Sequence, residues 1–301
     1  LWLGQGRQKS HRLRLRSLVK SRRKRKRHRR RIFAPGRKLI MPFHDPYSLS
    51  QNFIKYPDLV SQLIKASDIN KNDTVIEIGP GHGIITQTLL HHSKQVIAIE
   101  IDSILANKLI ESNKNTANLK IYSQDFLKYT LPSFPYKVFS NIPFSQTSKI
   151  IAKFLTAPVT PTSMYLILQE EVAKKFMGHP ETESSLHTKP WYEIKILGDI
   201  DRTSFTKKPQ VRIVFTEFKK RPLAFIKDEH QKEYRRFITY GFHQWQPTFL
   251  DAYKKVFTYP QLKTLEKTFK LTGLKPSQVS FDSWLHIFKI YLKIVDTKKS
   301  L

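Results

Sequence analysis

The heptapeptide SNIPFSQ, residues 140–146, combines residue types that can recognise a flat, nitrogen-containing ring. It follows the apolar run YKVF, which has the composition of a buried strand end. Pro143 has no amide hydrogen and holds the residue before it in an extended conformation, so sheet pairing stops there and the nearby carbonyls stay free. The segment is either a strand cap or a pocket in which the Asn141 amide and the Phe144 ring meet a planar base.

A glycine-rich turn, EIGPGHG at residues 77–83, gives a second chemical signal, because it lies between a predicted strand and a predicted helix. Gly79, Gly81 and Gly83 form a G-x-G-x-G pattern. In dinucleotide-binding folds the longer G-x-G-x-x-G pattern brings a pyrophosphate to the helix N-terminus. The shorter spacing and the preceding Glu77 favour a ligand without phosphate; tight packing of the turn is the alternative.

Carboxylates follow the next two predicted strands. Glu100 closes the strand QVIAIE, where it can accept hydrogen bonds from both hydroxyls of a ribose, and Asp125 ends the predicted strand LKIYSQD, where it can accept from the exocyclic amine of adenine. Taken alone, Glu100 is as well explained as a solvated strand end, and Asp125 as a residue that favours a turn. Ligands of parallel sheets bind outside the carboxyl ends of the strands, so these positions together predict a site for S-adenosylmethionine.

The charge of the chain points to a polyanionic partner. The sequence holds 53 Lys and Arg against 24 Asp and Glu, a formal net charge of +29. Residues 1–40 contain 17 of the basic residues and no acid, which predicts a disordered basic arm. This arm is either an RNA-binding segment or translated sequence upstream of a start at Met41. The rest of the chain is still basic, so nucleic acid is the expected partner with or without the arm.

Composition also excludes several classes of protein. There is no cysteine, which rules out disulfides and thiolate metal sites. The apolar runs are far too short to cross a bilayer, and no apolar segment of a secretory signal follows the basic N-terminus. His82, His91 and His92 have no partners at metal-ligand spacing, so we expect surface residues and no metal. A cytoplasmic monomer is the expectation.

The elements that must position these residues alternate between strand and helix from about residue 58 to residue 178. We predict an α/β fold with a Rossmann-like parallel sheet covered by helices, with helix N-cap Asp102 and a helix ended by Gly178. WYEIKIL and VRIVFTEF are predicted closing strands. The predicted domains are the basic arm (1–40), a catalytic domain (41–225) and a helical RNA-binding domain (226–301).

Taken together, the motifs resemble those of the rRNA adenine N6-methyltransferases, the family of the Erm enzymes and the small-subunit dimethyladenosine transferases. The resemblance covers about residues 50–221. Its motifs are SQNF (50–53), EIGPGHG (77–83), AIEID (98–102), QDF (124–126), NIPF (141–144), LQEEVAKKF (168–176) and SFTKKPQV (204–211). SQNF, NIPF and KPWYEIKI are more similar to Erm. One departure is the pair Lys207 and Lys208, where relatives often show F-x-P-x-P.

The resemblance implies cofactor-binding roles for several residues. Asn52 and Ile54 would close over S-adenosylmethionine, Gly79 and Gly81 would let it approach the backbone, and Glu100 would hold its ribose. Further along the chain, the resemblance implies an adenine site formed by Asp125, Phe126 and Ile101.

For the chemical step, the resemblance implies that Asn141 lies between the cofactor and the target base. An amide oxygen and the Ile142 carbonyl can accept the two N6 hydrogens of adenine, Pro143 keeps the segment rigid, and Phe144 can stack on the base. Phe205 is either a second wall for that base or a core residue.

The function implied is mono- or dimethylation of an adenine in 23S rRNA, which in Erm relatives gives resistance to macrolide, lincosamide and streptogramin B antibiotics. One alternative is dimethylation of 16S rRNA during assembly and processing of the small subunit. Another is a nucleic-acid-binding protein on the same fold without catalysis.

Overall fold

The computed structural model of this protein describes residues 52–299. The predicted basic arm (1–40), the start at Met41 and the first two residues of the SQNF motif lie outside the described residues.

The strands of the described region form one seven-stranded sheet in the order β3-β2-β1-β4-β5-β7-β6. They are β1 (Thr74–Ile78), β2 (Gln95–Glu100), β3 (Leu119–Ser123), β4 (Lys137–Asn141), β5 (Ser163–Gln169), β6 (Tyr192–Ile200) and β7 (Ile213–Lys220). The central strands β1, β2, β4 and β5 are buried almost end to end, as apolar strands are when helices cover both faces of a parallel sheet.

The sheet is mixed, whereas the alternation of the elements predicted a parallel one. Strands β1 to β5 pair in parallel, but β7 is antiparallel to both β5 and β6. The physical reason is the connection from β6 to β7, which contains only a 3-10 turn (Arg202–Ser204). A parallel neighbour would need a longer crossover, usually an α-helix, so the chain reverses instead.

The described chain also contains ten α-helices. They are α1 (Pro57–Lys65), α2 (Ile84–Leu90), α3 (Ser103–Ser112), α4 (Thr147–Leu155), α5 (Glu170–Met177), α6 (Glu183–Thr188), α7 (Gln231–Phe242), α8 (Phe249–Ala252), α9 (Tyr259–Phe269) and α10 (Phe281–Lys299). None of them is both long and apolar enough to cross a membrane.

The predicted helix ends at Asp102 and Gly178 are confirmed. The Asp102 carboxylate accepts hydrogen bonds from the main-chain N–H groups of Ile104 (2.9 Å) and Leu105 (3.1 Å), which caps α3. Gly178 ends α5 at φ 85°, a left-handed conformation that favours glycine. Helices α6 and α8 were not predicted from the sequence. The signal for α6 was the capping box at its start, in which the Thr182 and Ser185 side chains bond each other's main-chain N–H.

Buried side chains form two clusters, one on each face of the sheet: along β1, Ile76 and Ile78 belong to one cluster and Val75 to the other. The first cluster continues into the C-terminal helices through Phe237 and Trp284. The helices after residue 226 therefore share a hydrophobic core with the sheet. The predicted domain boundary near residue 225 stays a prediction.

Candidate active site

A cavity of about 310 Å³ opens at the carboxyl ends of β1, β2 and β4. This volume lies within the range of small-molecule sites, roughly 300 to 1,000 Å³. Most of the residues that the sequence singled out line it: Asn52, Gly79, Glu100, Ile101, Asp125, Phe126, Asn141, Ile142, Pro143 and Phe144. Sheet topology thus brings together residues that lie up to 92 positions apart.

Three predicted residues do not line the cavity. Ile54 and Phe205 form an isolated β-bridge with each other and are buried, with 3% and 1% exposure. Phe205 packs in the core with Tyr165 and Phe215 and turns no exposed ring face toward the cavity. Gly81 is covered by the Phe53 ring, because a Cβ at this glycine would lie 2.2 Å from Phe53 Cε1.

The cavity also contains residues to which the sequence analysis gave no role. Phe53 lines it and makes an edge contact with His82, with ring centroids 4.8 Å apart. Gln146, Lys149 and Ile150 line it from the start of α4 and the turn before it. Their spacing of three and four residues places them on one helix face just after NIPF. This spacing could have predicted from the sequence that they line the same cavity.

Glu100 is held at the end of β2 by main-chain donors. Its Oε2 accepts a hydrogen bond from the Gly81 N–H (2.9 Å), and its Oε1 accepts one from the Asp102 N–H (3.0 Å). The side chain is nearly buried, and this burial raises the pKa of the Glu100 carboxyl, while the two N–H groups oppose the shift. Each carboxylate oxygen keeps a second lone pair, so the group can still accept from a ligand in the cavity.

Glu77 lies beneath the glycine turn and is buried. Its Oε2 accepts a hydrogen bond from the Thr86 hydroxyl (2.6 Å), and its Oε1 has no partner among the described residues. Burial raises the pKa of Glu77 to about 8, with a further contribution from the neighbouring Glu100 charge. This carboxyl therefore keeps its proton near neutral pH, which spares the turn an unpaired buried charge.

The loop after β3 forms another wall of the cavity. The Asp125 Oδ1 accepts a hydrogen bond from the Leu127 N–H (2.8 Å), which fixes the 3-10 turn Phe126–Lys128. The Lys153 ammonium, from α4, donates to the carbonyls of Phe126, Leu127 and Tyr129 at 2.5 to 2.8 Å. Burial lowers the pKa of Lys153, and the Asp125 charge opposes that shift. One partly buried cation thus holds the loop in place.

Asn141, the last residue of β4, has its side chain oriented by one hydrogen bond. Its Nδ2 donates to the Asn52 carbonyl at 2.7 Å, and its Oδ1 accepts no hydrogen bond from the described residues. A carbonyl can only accept, so the NH₂ end of the amide must point to Asn52. The amide oxygen is therefore the end left for another partner.

Beyond Asn141, the buried Ile142 and the rigid Pro143 lead to the half-buried ring of Phe144. Phe144 lines the cavity and packs against the core cluster that contains Phe205. The backbone turns into α4 directly afterwards, and this turn fixes the ring at the rim of the cavity.

Comparison with known proteins places this arrangement in a family. The family model described as ribosomal RNA adenine dimethylase matches residues 44–293. The chain belongs to this family. It is therefore an rRNA adenine methyltransferase that uses S-adenosylmethionine, and the resemblance inferred from the motifs is confirmed.

Relatives of this rRNA adenine methyltransferase carry two kinds of name. Ribosomal RNA small subunit methyltransferase A of Natranaerobius thermophilus is 25% identical over 276 residues, which cover 82% of this chain and 91% of the relative. The rRNA adenine N-6-methyltransferase of Bacillus licheniformis is 26% identical over 253 residues, covering 83% and 88%. That of Aeromicrobium erythreum is 31% identical over 182 residues, covering 60% and 53%.

Solved structures share its fold. The 23S rRNA methyltransferase ErmE matches with a TM-score of 0.69 and 22% identity, and a dimethyladenosine transferase from Plasmodium falciparum matches with 0.66 and 20%. Each match covers 79% of this chain and 98% of the other. The predicted fold class, a Rossmann-like methyltransferase sheet with a helical C-terminal region, is confirmed.

Proposed function

We propose that this enzyme methylates the N6 amine of an unpaired adenine in 23S rRNA, and that Asn141 orients that amine. The observation that carries the proposal is the Asn141 side chain, whose NH₂ end is bound to the Asn52 carbonyl and whose oxygen, at the cavity wall, has no partner among residues 52–299. The N6 amine of adenine carries two hydrogens, and the Asn141 amide oxygen can accept a hydrogen bond from one of them.

The cavity fits S-adenosylmethionine. Glu100 offers free lone pairs to the two ribose hydroxyls, and the Asp125 Oδ2, which no described residue bonds, can accept from the adenine amine. Ile101 and Phe126 supply apolar surface for the ring. Gly79 leaves its backbone open, because the nearest atom to a Cβ there would be the Pro143 Cγ at 4.0 Å. The carboxylates suit a cationic ligand.

When bound, S-adenosylmethionine supplies an electrophilic methyl group. The lone pair of an aromatic amine is delocalised into the purine ring, so the protein must hold the amine in a reactive orientation. The Asn141 Oδ1 and the Ile142 carbonyl accept its two hydrogens, which takes the lone pair out of conjugation with the ring and directs it toward the methyl group. Both oxygens then stabilise the positive charge that develops on nitrogen. No strong base is needed, because the nitrogen becomes acidic as it gains that charge and can release one proton to water.

Phe144 is the proposed stacking surface for the target adenine, which must be unpaired or flipped out for its N6 to be reached. Phe144→Ala should weaken binding of the target base by about 1 to 3 kcal/mol, the usual value of stacking on an aromatic side chain. Phe144→Tyr keeps the ring face and should keep most of the activity. Steady-state kinetics on an rRNA fragment measures both, and equal activities of the two variants would rule out stacking.

The basic charge of the chain supports RNA as the partner, and we propose that the helical region 226–301 and the arm 1–40 contribute to RNA binding by a monomer. The motifs SQNF, NIPF and KPWYEIKI favour 23S rRNA and a role in resistance to macrolide-type antibiotics. The second candidate is 16S rRNA, favoured by the match along 91% of a small-subunit methyltransferase.

The substrate is tested with labelled cofactor. We expect label in protein-free 23S rRNA and little in mature 50S particles, because an adenine in the peptidyl transferase region of the ribosome is buried in the finished subunit. Label in immature 30S particles with none in free 23S rRNA would instead support the 16S function. Mapping the methylated adenines after expression in a host without such enzymes identifies the position.

A further inference from the structure

The segment 52–55 is joined to the segment 204–207 by a short antiparallel ladder. The Lys55 N–H donates to the Ser204 carbonyl (2.9 Å), and the Thr206 N–H donates to the Phe53 carbonyl (2.8 Å). The Phe53 N–H donates in turn to the Thr206 hydroxyl (3.2 Å). These two segments are distant in sequence, and the ladder fixes the one that lies beside Asn141.

The ladder ends in a hydrogen bond from the main chain of Lys207 to the side chain of Asn52. The Lys207 N–H donates to the Asn52 Oδ1 at 3.2 Å. The carbonyl of the same Asn52 accepts from the Asn141 Nδ2 at 2.7 Å. The Asn52 side chain is thus bound to the Lys207 N–H, and the Asn52 main-chain carbonyl is bound to the Asn141 amide.

We propose that the main-chain N–H of Lys207 is a positioning group for Asn141 and acts through Asn52. This inference rests on the proposed role of Asn141 as the acceptor for the target amine. If the Asn52 carbonyl moves, the Asn141 amide loses the acceptor that selects its orientation, and rotation by half a turn brings an NH₂ group to the target amine. Two donors then face each other, and the amine cannot be held.

The residue type at position 207 decides whether this bond exists. Proline has no main-chain N–H and cannot donate to Asn52. The resemblance leads one to expect proline at this position, whereas this chain has lysine. Lysine at position 207 therefore adds a hydrogen bond beside the catalytic segment.

The test compares Lys207→Pro with Lys207→Ala, because both lose the ammonium group and only proline loses the N–H. A hydrogen bond of about 0.5 to 1.5 kcal/mol corresponds to a roughly 2- to 13-fold lower kcat for the proline variant. Because Asn141 acts on the bound amine, we expect the change in kcat, with the KM for RNA similar in the two variants. Equal kcat values would overturn the proposal, and Lys208→Ala, which removes a neighbouring charge, is the matched control for RNA affinity.

Asn52 provides a second route to the same bond and keeps the test decisive if Lys207→Pro disturbs folding. Asn52→Ala removes the acceptor oxygen and should lower kcat to a similar extent, while Asn52→Asp keeps an acceptor and should restore part of it. The double variant Lys207→Pro, Asn52→Ala should be no slower than either single variant, because both act on one bond. Multiplying losses would show that Lys207 acts elsewhere.

Asn141→Ala, measured in the same assay, distinguishes the role of Asn141 as acceptor for the amine from the positioning role of the Lys207 N–H. Full activity of that variant would overturn the role of Asn141 and the positioning role with it. Loss of activity in Asn141→Ala, with no loss in Asn52→Ala or in the proline variant relative to Lys207→Ala, would overturn the positioning role alone.

Discussion

Asn141→Ala is expected to lower kcat for adenine methylation by about 100- to 1,000-fold, the usual effect of removing one preorganised hydrogen-bonding group from a transition state. The loss is expected in kcat because the amide oxygen acts on charge that develops at the amine during the reaction. Single-turnover methylation of an rRNA fragment at saturating cofactor measures it. The fold should survive, since the Asn141 side chain makes one hydrogen bond within the described part of the chain and lies at the cavity wall.

Asn141→Asp is the informative companion variant. It keeps an oxygen toward the target amine but replaces the NH₂ donor with a second oxygen, which repels the Asn52 carbonyl. We expect intermediate activity if the oxygen is the functional end of the amide. Near-normal turnover of Asn141→Ala would show that the amine is oriented by another group.

Much of the parallel part of the fold could be read from the sequence. The run QVIAIE became β2 with the predicted bounds, because a short, nearly continuous apolar run suits a strand that is covered on both faces. The antiparallel direction of β7 could not be predicted from WYEIKIL and VRIVFTEF, because the residue types that favour a strand do not depend on the direction in which the strand runs. Direction was set by the short connection between them.

The candidate site shows the same division. Glu100, Asp125 and Asn141 follow strand ends, so the topology of a parallel sheet was enough to bring them together. Phe205 could not be assigned in this way, because its burial depends on the bridge to Ile54, far away in the sequence. The Lys207 bond to Asn52 joins residues 155 positions apart and involves a main-chain group, which no side-chain motif can reveal.

Glu100→Gln is expected to weaken binding of S-adenosylmethionine by about 10- to 150-fold, since hydrogen bonds to charged groups contribute roughly 1.5 to 3 kcal/mol. Glutamine keeps the volume of the side chain but has only one acceptor oxygen. The Gly81 and Asp102 N–H groups and the ribose hydroxyls would then compete for it. Calorimetry gives the cofactor affinity, and a filter-binding assay gives the RNA affinity, which should change far less; a larger loss of RNA binding would contradict the ribose assignment.

The pH dependence of cofactor binding offers an independent check on Glu100. Burial raises the pKa of this carboxyl above its usual value, so it gains a proton at a higher pH than an exposed glutamate does. Protonation removes acceptor capacity, and affinity for the cofactor should therefore fall as pH drops through that raised pKa. Glu77 also titrates, with a pKa of about 8, so the wild-type profile contains both groups. In Glu100→Gln the part of the decline that Glu100 causes should disappear, because glutamine cannot be protonated in this range; an unchanged profile would assign the decline to another group.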